Sequence, residues 1–156
     1  GSAVCLATAV FVSAAPSIRA QSPSSLTCGL EAGPDREVAS IIDGETVRLD
    51  DGKEVRLVGA LAPRARDVGA APGTWPVEEA TRTALQDLLR GRTVSLAFAG
   101  QREDRYGRVL GHLFVSDAGS PLWVQGHLVE NGLARAYSQP DNDACISRLL
   151  ERERRA

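Results

Sequence analysis

The sequence predicts a small, partly open five-stranded β-barrel of the OB type with three α-helices. Three observations predict it. Three short β-prone runs follow one another through strong turn signals, one long amphipathic segment separates the third run from the fourth, and two further helix signatures follow the fifth. The chain has 156 residues, 43% of them hydrophobic and 24% charged, which suits one domain with a proper core.

The first twenty residues are expected to stand apart from that domain. Cys5 to Ala15 is an uncharged apolar run of eleven residues, and Ser17-Ile18-Arg19-Ala20 ends it with a small residue ahead of Gln21. This reads as a secretory signal with cleavage after Ala20, because the run is too short for a membrane span of about 20 apolar residues. Residues 21–37, which start Ser/Pro-rich, read as a flexible N-terminal arm, and residues 38–156 as the barrel domain. Without the leader, Cys28 and Cys145 remain. In an oxidising compartment such a pair is most simply a disulfide, closing a loop of more than a hundred residues and contributing about 4 kcal/mol in the chain-entropy model. Two free thiols are the alternative.

Val38 to Ile42, Thr46 to Leu49 and Lys53 to Val58 are the first three strands, joined by Asp43-Gly44 and Asp50-Asp51-Gly52. Ala60 to Trp75 loses all periodicity and reads as a long loop. Pro76 opens a helix with Glu78 and Glu79 in its first turn and a stripe of Ala80, Ala84, Leu85, Leu88 and Leu89, ending at Arg90-Gly91. Thr93 to Ala99 alternates with Val94, Leu96 and Phe98 on one face, and Val109 to Val115 is the fifth strand. Ser120-Pro121 is expected to cap a second helix ending at Asn131-Gly132, and Pro140 to open a third that carries Cys145, Ile146, Leu149 and Leu150.

Composition narrows the chemistry. Eighteen Lys+Arg against 20 Asp+Glu give a net charge of −2, so contact with an anionic partner must come from a local arrangement of charge. Lys53 is the sole lysine, and the other cations are arginines, which grip phosphate bidentately and do not deprotonate. Two histidines and three cysteines, with no CxxC, give a zinc site almost no raw material.

Four segments stand out: Ile42-Asp43-Gly44-Glu45-Thr46-Val47, Val55-Arg56-Leu57-Val58-Gly59-Ala60-Leu61-Ala62-Pro63-Arg64, Asp104-Arg105-Tyr106-Gly107-Arg108, and Leu128 to Tyr137. In order and spacing, from about Val38 to the end, they resemble the staphylococcal (thermo)nuclease family. The resemblance implies an OB-type barrel with three helices and hydrolysis of DNA or RNA phosphodiesters. It also implies two arginines on the phosphate, a calcium ion held by two Asp side chains and a backbone carbonyl, and a Glu that positions or activates the attacking water. Arg56 and Arg108 match the two arginines, the catalytic and phosphate-binding pair. Glu45 stands where the first aspartate is expected beside the acidic Asp43, Ala62 can still offer its carbonyl, Leu61 replaces the second aspartate, and Arg64 replaces the glutamate.

Charge gives the consequence. Calcium takes six to eight oxygens and gains affinity with ligand charge, so a leucine in place of an aspartate removes a ligand, and calcium binding at Asp43, Glu45 and Ala62 is expected to be weak or absent. Arg64 cannot accept a proton, which removes a base worth roughly 10²–10⁴ in rate. Two carboxylates lost and one cation gained leave the pocket three units more positive, which favours an anion on Arg56, Arg64 and Arg108.

Plainer readings stand beside these. Arg56 shares a strand face with Glu54 and could pair with it on the surface. Asp104, Arg105 and Arg108 flank a turn and could simply cap it, and Asp43-Gly44 is a turn in its own right. Asp67 could replace the lost base if its loop folds back. His112 and His127 read as barrel-face and helix-surface residues, and Trp75 and Trp123 as buried anchors rather than base-stacking platforms. The expected protein is an exported monomer without membrane insertion and with a nucleic acid or other phosphate-bearing partner. It is either a nuclease with impaired catalysis or a non-catalytic binding module, with an envelope scaffold as a third reading.

Overall fold

A computed structural model describes Gly1 and residues 28–156. The expected apolar leader run and the Ser/Pro-rich lead-in lie outside the described residues. The elements are β1 (Glu31–Ile41), β2 (Thr46–Leu49), β3 (Glu54–Leu57), β4 (Ala60–Leu61), a 3₁₀ turn (Ala65–Val68), α1 (Pro76–Leu89), β5 (Thr93–Phe98), β6 (Val109–Asp117), β7 (Ser120–Trp123), α2 (Val124–Glu130), β8 (Arg135–Ala136) and α3 (Ile146–Glu153).

Five strands run in the order β3-β2-β1-β5-β6, and parallel pairing of β3 with β6 closes them into a barrel. The barrel is therefore closed rather than partly open, since Val55, Arg56 and Leu57 pair with Val109, Leu110 and Gly111. Inward residues recur at alternate positions of β2, β3 and β5, where Val47 and Leu49, Val55 and Leu57, Val94 and Leu96 are all buried, whereas β6 is buried on both faces from Leu110 to Val115. Leu85 and Leu89 of α1, Leu128 of α2 and Leu149 of α3 belong to the same hydrophobic core.

β1 starts at Glu31, so the stretch from Glu31 to Glu37, expected to belong to the flexible arm, is part of the barrel. Its charged side chains face water and hide the strand, while its backbone pairs with Thr93 to Phe98 of β5. Gly33-Pro34 reads as a strand breaker, yet it falls where the register between Ala32 and Asp35 shifts, an irregularity that accommodates it. A second shift between Val38 and Ser40 turns β1 onto β2, so one strand serves both halves of the barrel.

Two helix starts differ from expectation. Ser120-Pro121 does not cap a helix: both residues lie on β7, which pairs with β6 through a hairpin, and the helix begins at Val124. Ala118 and Gly119 both adopt positive φ, the geometry of a tight two-residue hairpin, and Pro121 is tolerated because β7 is an edge strand. The last helix begins at Ile146, not near Pro140, because Asp141 at φ 62° breaks any helix there. Asp141 and Asn142 instead bind the loop after β5: the Gln101 N–H donates to Asp141 O at 3.1 Å, and Asn142 Nδ2 donates to Gln101 O at 2.6 Å. The long loop after β3 also opens with a strand, β4, paired with β8 (Ala60 to Ala136, Leu61 to Arg135).

His112 is a barrel-wall residue, 2% exposed, and its Nδ1 accepts the indole N–H of buried Trp123 at 3.2 Å. His127, near Asn131, belongs to the surface end of α2. Gln125 went unnoticed in the sequence, though its buried amide donates to Gly111 O and accepts from Leu113 N–H, stitching α2 to β6. No helix among the described residues is long and apolar enough to cross a membrane.

Cys28 and Cys145 are bonded, with Cα atoms 5.4 Å apart and a sequence separation of 117, so the segment just before β1 is fastened to the residue before α3. A non-reduced digest should therefore yield the linked peptides, and reduction should lower unfolding stability by about 4 kcal/mol. Two alkylatable thiols in the untreated protein would contradict the pairing. Burial pushes the His112 imidazole down to about 4 from its ordinary 6.5. The unfolded chain takes up this proton first, so its contribution is intact above pH 6.5 and is lost as pH falls toward 4, about 3 kcal/mol in all. Denaturant titrations of wild type and His112→Gln at pH 7 and pH 4 should differ by that amount; equal pH slopes would exclude it.

Candidate functional site

The β1–β2 turn builds one wall. The Asp43 carboxylate accepts the Glu45 N–H at 2.9 Å, and Gly44 is pressed so closely against the segment after β4 that a Cβ there would lie 2.8 Å from the Ala62 Cβ. This close approach aims Glu45 inward. Glu45 is 6% exposed, its Oε2 accepts the Ala62 N–H at 3.3 Å, and its Oε1 lies 3.6 Å from Arg56 Nη2 and 3.8 Å from Arg64 Nη1.

Arg56 occupies the middle of β3, with Thr46 paired on one side and Leu110 on the other, so its backbone is fixed from both flanks. Pairing with Glu54 does not occur: Glu54 reaches across the strand pair to Arg48 at 2.8 Å, and the carboxylate near Arg56 is Glu45. Arg64 follows β4 and is held by Asp67 of the 3₁₀ turn, Nε to Oδ2 at 3.0 Å. The Asp67 hydrogen bond raises the Arg64 pKa, partial burial opposes it, and the charges of Glu45, Asp67 and Asp43 raise it further. Asp67 is thus engaged by a cation and does not line the cleft as a replacement base.

Arg108 stands at the mouth of β6. The capping reading of Asp104 holds, since its Oδ1 accepts the N–H groups of Tyr106 and Arg108 at 2.9 and 3.0 Å. The same carboxylate takes the Arg108 Nε–H at 2.7 Å, so the turn is also the mount of the guanidinium. Partial burial works to raise the Asp104 pKa, but the hydrogen bonds from Arg108 and Tyr106 outweigh it and hold the carboxyl below its ordinary range.

These parts line one cleft of about 760 Å³, and Arg56, Arg64 and Arg108 all face it together with Asp43, Glu45 and Ala62. Leu61 does not line it, being half-buried on β4. The cleft also contains residues that the sequence did not mark as site residues: Glu54, Arg66, Glu78, Arg105 and Tyr106. Tyr106 is 68% exposed and lies between two cations, its ring centroid 4.8 Å from the Arg105 guanidinium and 5.5 Å from that of Arg108. The clue was adjacency, since both residues sit in the same five-residue run as Arg108. Trp123 is buried as an anchor, and Trp75 sits half-buried at the N-cap of α1; neither lines the cleft.

Five arginines against four carboxylates make the cleft wall net positive in a chain whose net charge is −2. Guanidinium groups held by local carboxylates through Nε present their remaining N–H groups without further reorganisation, which suits a phosphate or another oxyanion.

Comparison with known proteins agrees with the barrel. A "Thermonuclease" of Staphylococcus intermedius is 32% identical over 111 residues, covering 68% of this chain and 61% of that protein. A "Thermonuclease" of Staphylococcus hyicus is 30% identical over 126 residues, 77% of this chain and 69% of that one. An "Uncharacterized endonuclease" of Escherichia coli is 28% identical over 121 residues, 76% and 70% of the respective chains. The model of the staphylococcal nuclease homologue family matches residues 54–156, a span that holds Arg56, Arg64 and Arg108 and three of the five barrel strands, β3, β5 and β6. With the closed barrel and the paired arginines carried on the matched span, the chain belongs to the staphylococcal nuclease homologue family.

Proposed function

We propose that this chain is an exported, phosphate-binding member of the nuclease lineage in which calcium-dependent phosphodiester hydrolysis is impaired. The observation that carries this reading is the position of Glu45, whose carboxylate lies between Arg56 and Arg64 and also accepts the Ala62 N–H. A donor set for calcium would need that carboxylate and several more oxygens, yet no group of three or more His, Cys, Asp or Glu side chains converges in metal-binding geometry among the described residues. The residues present do not fit the ion. Arg64, a permanent cation, cannot activate water.

Anion recognition keeps its parts. Arg56 and Arg108 come from different strands but face one cleft, and Arg64 adds a third guanidinium. Charge-assisted bonds of this kind are worth roughly 1.5–3 kcal/mol each where water is partly excluded. The apolar run Cys5 to Ala15 and the Cys28–Cys145 bond support an oxidising destination, outside the cytoplasm.

Fluorescence titration of a nucleoside 3′,5′-bisphosphate or a short oligonucleotide in EDTA, at two salt concentrations, tests the reading. Binding should persist without calcium and weaken with salt, and Arg56→Ala or Arg108→Ala should each cost about tenfold or more. Arg135, on the C-terminal side of the helix that the sequence ends at Asn131-Gly132, lies exposed on β8 outside the cleft, so Arg135→Ala should change little. Affinity indifferent to both cleft arginines would make them structural and favour a scaffold role.

Reversion tests the lost chemistry. Leu61→Asp with Arg64→Glu, and Glu45→Asp to shorten the reach, should restore calcium-dependent cleavage of single-stranded DNA. A reverted protein that folds, binds calcium and cuts nothing would show the site to be wrongly assigned.

A further inference from the structure

Glu45 poses a problem that the cleft solves within its own chain. Its side chain is 9% exposed, and a carboxylate so placed needs a counter-charge. Arg56 provides one at 3.6 Å, yet Arg56 is rooted in a strand and approaches from one side. Arg64 approaches from the segment after β4 at 3.8 Å, and Asp67 fixes its Nε edge. Asp43 acts on the same guanidinium through space from the β1–β2 turn. One organic cation is thus surrounded by carboxylates from two separate segments, in the wall of a cleft that also holds the other two site arginines.

We propose that Arg64 is the resident cation of the cleft, a tethered guanidinium that neutralises Glu45 and turns its remaining N–H groups to the phosphate in place of a diffusible metal ion. This rests on the phosphate-binding reading above. A point charge does not fill the role: one planar fork reaches Asp67 and Glu45 with different edges, whereas an ammonium has no second edge to offer. A cation supplied by the chain makes occupancy by phosphate independent of divalent ions. It also makes the fit depend on the shape of the guanidinium.

Chemical rescue decides it. The full chain in EDTA is titrated with a nucleoside 3′,5′-bisphosphate as wild type, Arg64→Ala, Arg64→Lys and Asp67→Asn, with and without a low, non-denaturing concentration of methylguanidinium, and thermal midpoints are recorded alongside. Arg64→Ala should bind at least about tenfold more weakly and recover most of the loss with methylguanidinium, which should also raise its thermal midpoint but not that of wild type. Arg64→Lys should recover only part of the affinity. Asp67→Asn, which keeps the Arg64 cation but neutralises the carboxylate that tethers it, should lose less than Arg64→Ala and not respond to the additive. Three results would overturn the proposal: calcium tightening phosphate binding to wild type, Arg64→Ala binding as wild type does, or a weakened Arg64→Ala whose affinity and thermal midpoint both ignore methylguanidinium. A wild type that binds no phosphate in EDTA would sink the function proposed above, and the thermal comparison would still decide the role of Arg64.

Discussion

Parallel pairing of β3 with β6 is the contact on which both the barrel and its cleft depend. Arg56 lies in the middle of β3 opposite Leu110, and Arg108 immediately precedes Val109, the residue paired with Val55. Closing the barrel therefore brings to one mouth two arginines that lie 52 positions apart in the chain. Neither needs a long or mobile loop to reach the other. A sheet left open at this seam would separate them and leave the edges of two strands unpaired. The same closure gives the β1–β2 turn and the segment after β4 a fixed rim to pack against, and so determines where Glu45 and Arg64 meet.

Much of this was legible in the sequence because the relevant signals are local. Alternation of Val94, Leu96 and Phe98 marks a half-buried strand, and Pro76 with Glu78 and Glu79 marks the start of α1; both hold in the structure. The failures share a cause. The outer half of β1 has charged residues on its exposed face and a Gly-Pro in its path, so only its pairing with β5 makes it a strand. At β7, Ser-Pro signals a helix start in isolation, whereas the positive φ values of Ala118 and Gly119 are set by the hairpin they close. β4 and β8 are two residues long and exist only through each other.

The site divides in the same way. Arg56, Arg64 and Arg108 could be named from spacing and resemblance, but their counter-ions could not. Glu54 shares a face with Arg56 and nonetheless pairs with Arg48 across the strand register, while Glu45, eleven residues before Arg56, becomes its neighbour in space. Asp67 is available as a base along the sequence, but in the fold its carboxylate is taken by Arg64. Charge that reads as an excess along the chain is, in three dimensions, largely matched within the cleft. What remains is a modest positive surplus concentrated at one mouth of an otherwise acidic protein.

The bond between Cys28 and Cys145 encloses nearly everything described, including the exposed stretch from Ala71 to Thr74. A protease that cuts a chain at such a tip ordinarily creates two pieces free to drift apart. Here the cut would fall inside a covalent ring, and one of the resulting fragments would remain tethered to the other through sulfur. The barrel strands on either side could keep their pairing as a nicked, two-fragment molecule that separates only on reduction. The ring converts a break in the backbone from the loss of the fold into a local change of connectivity.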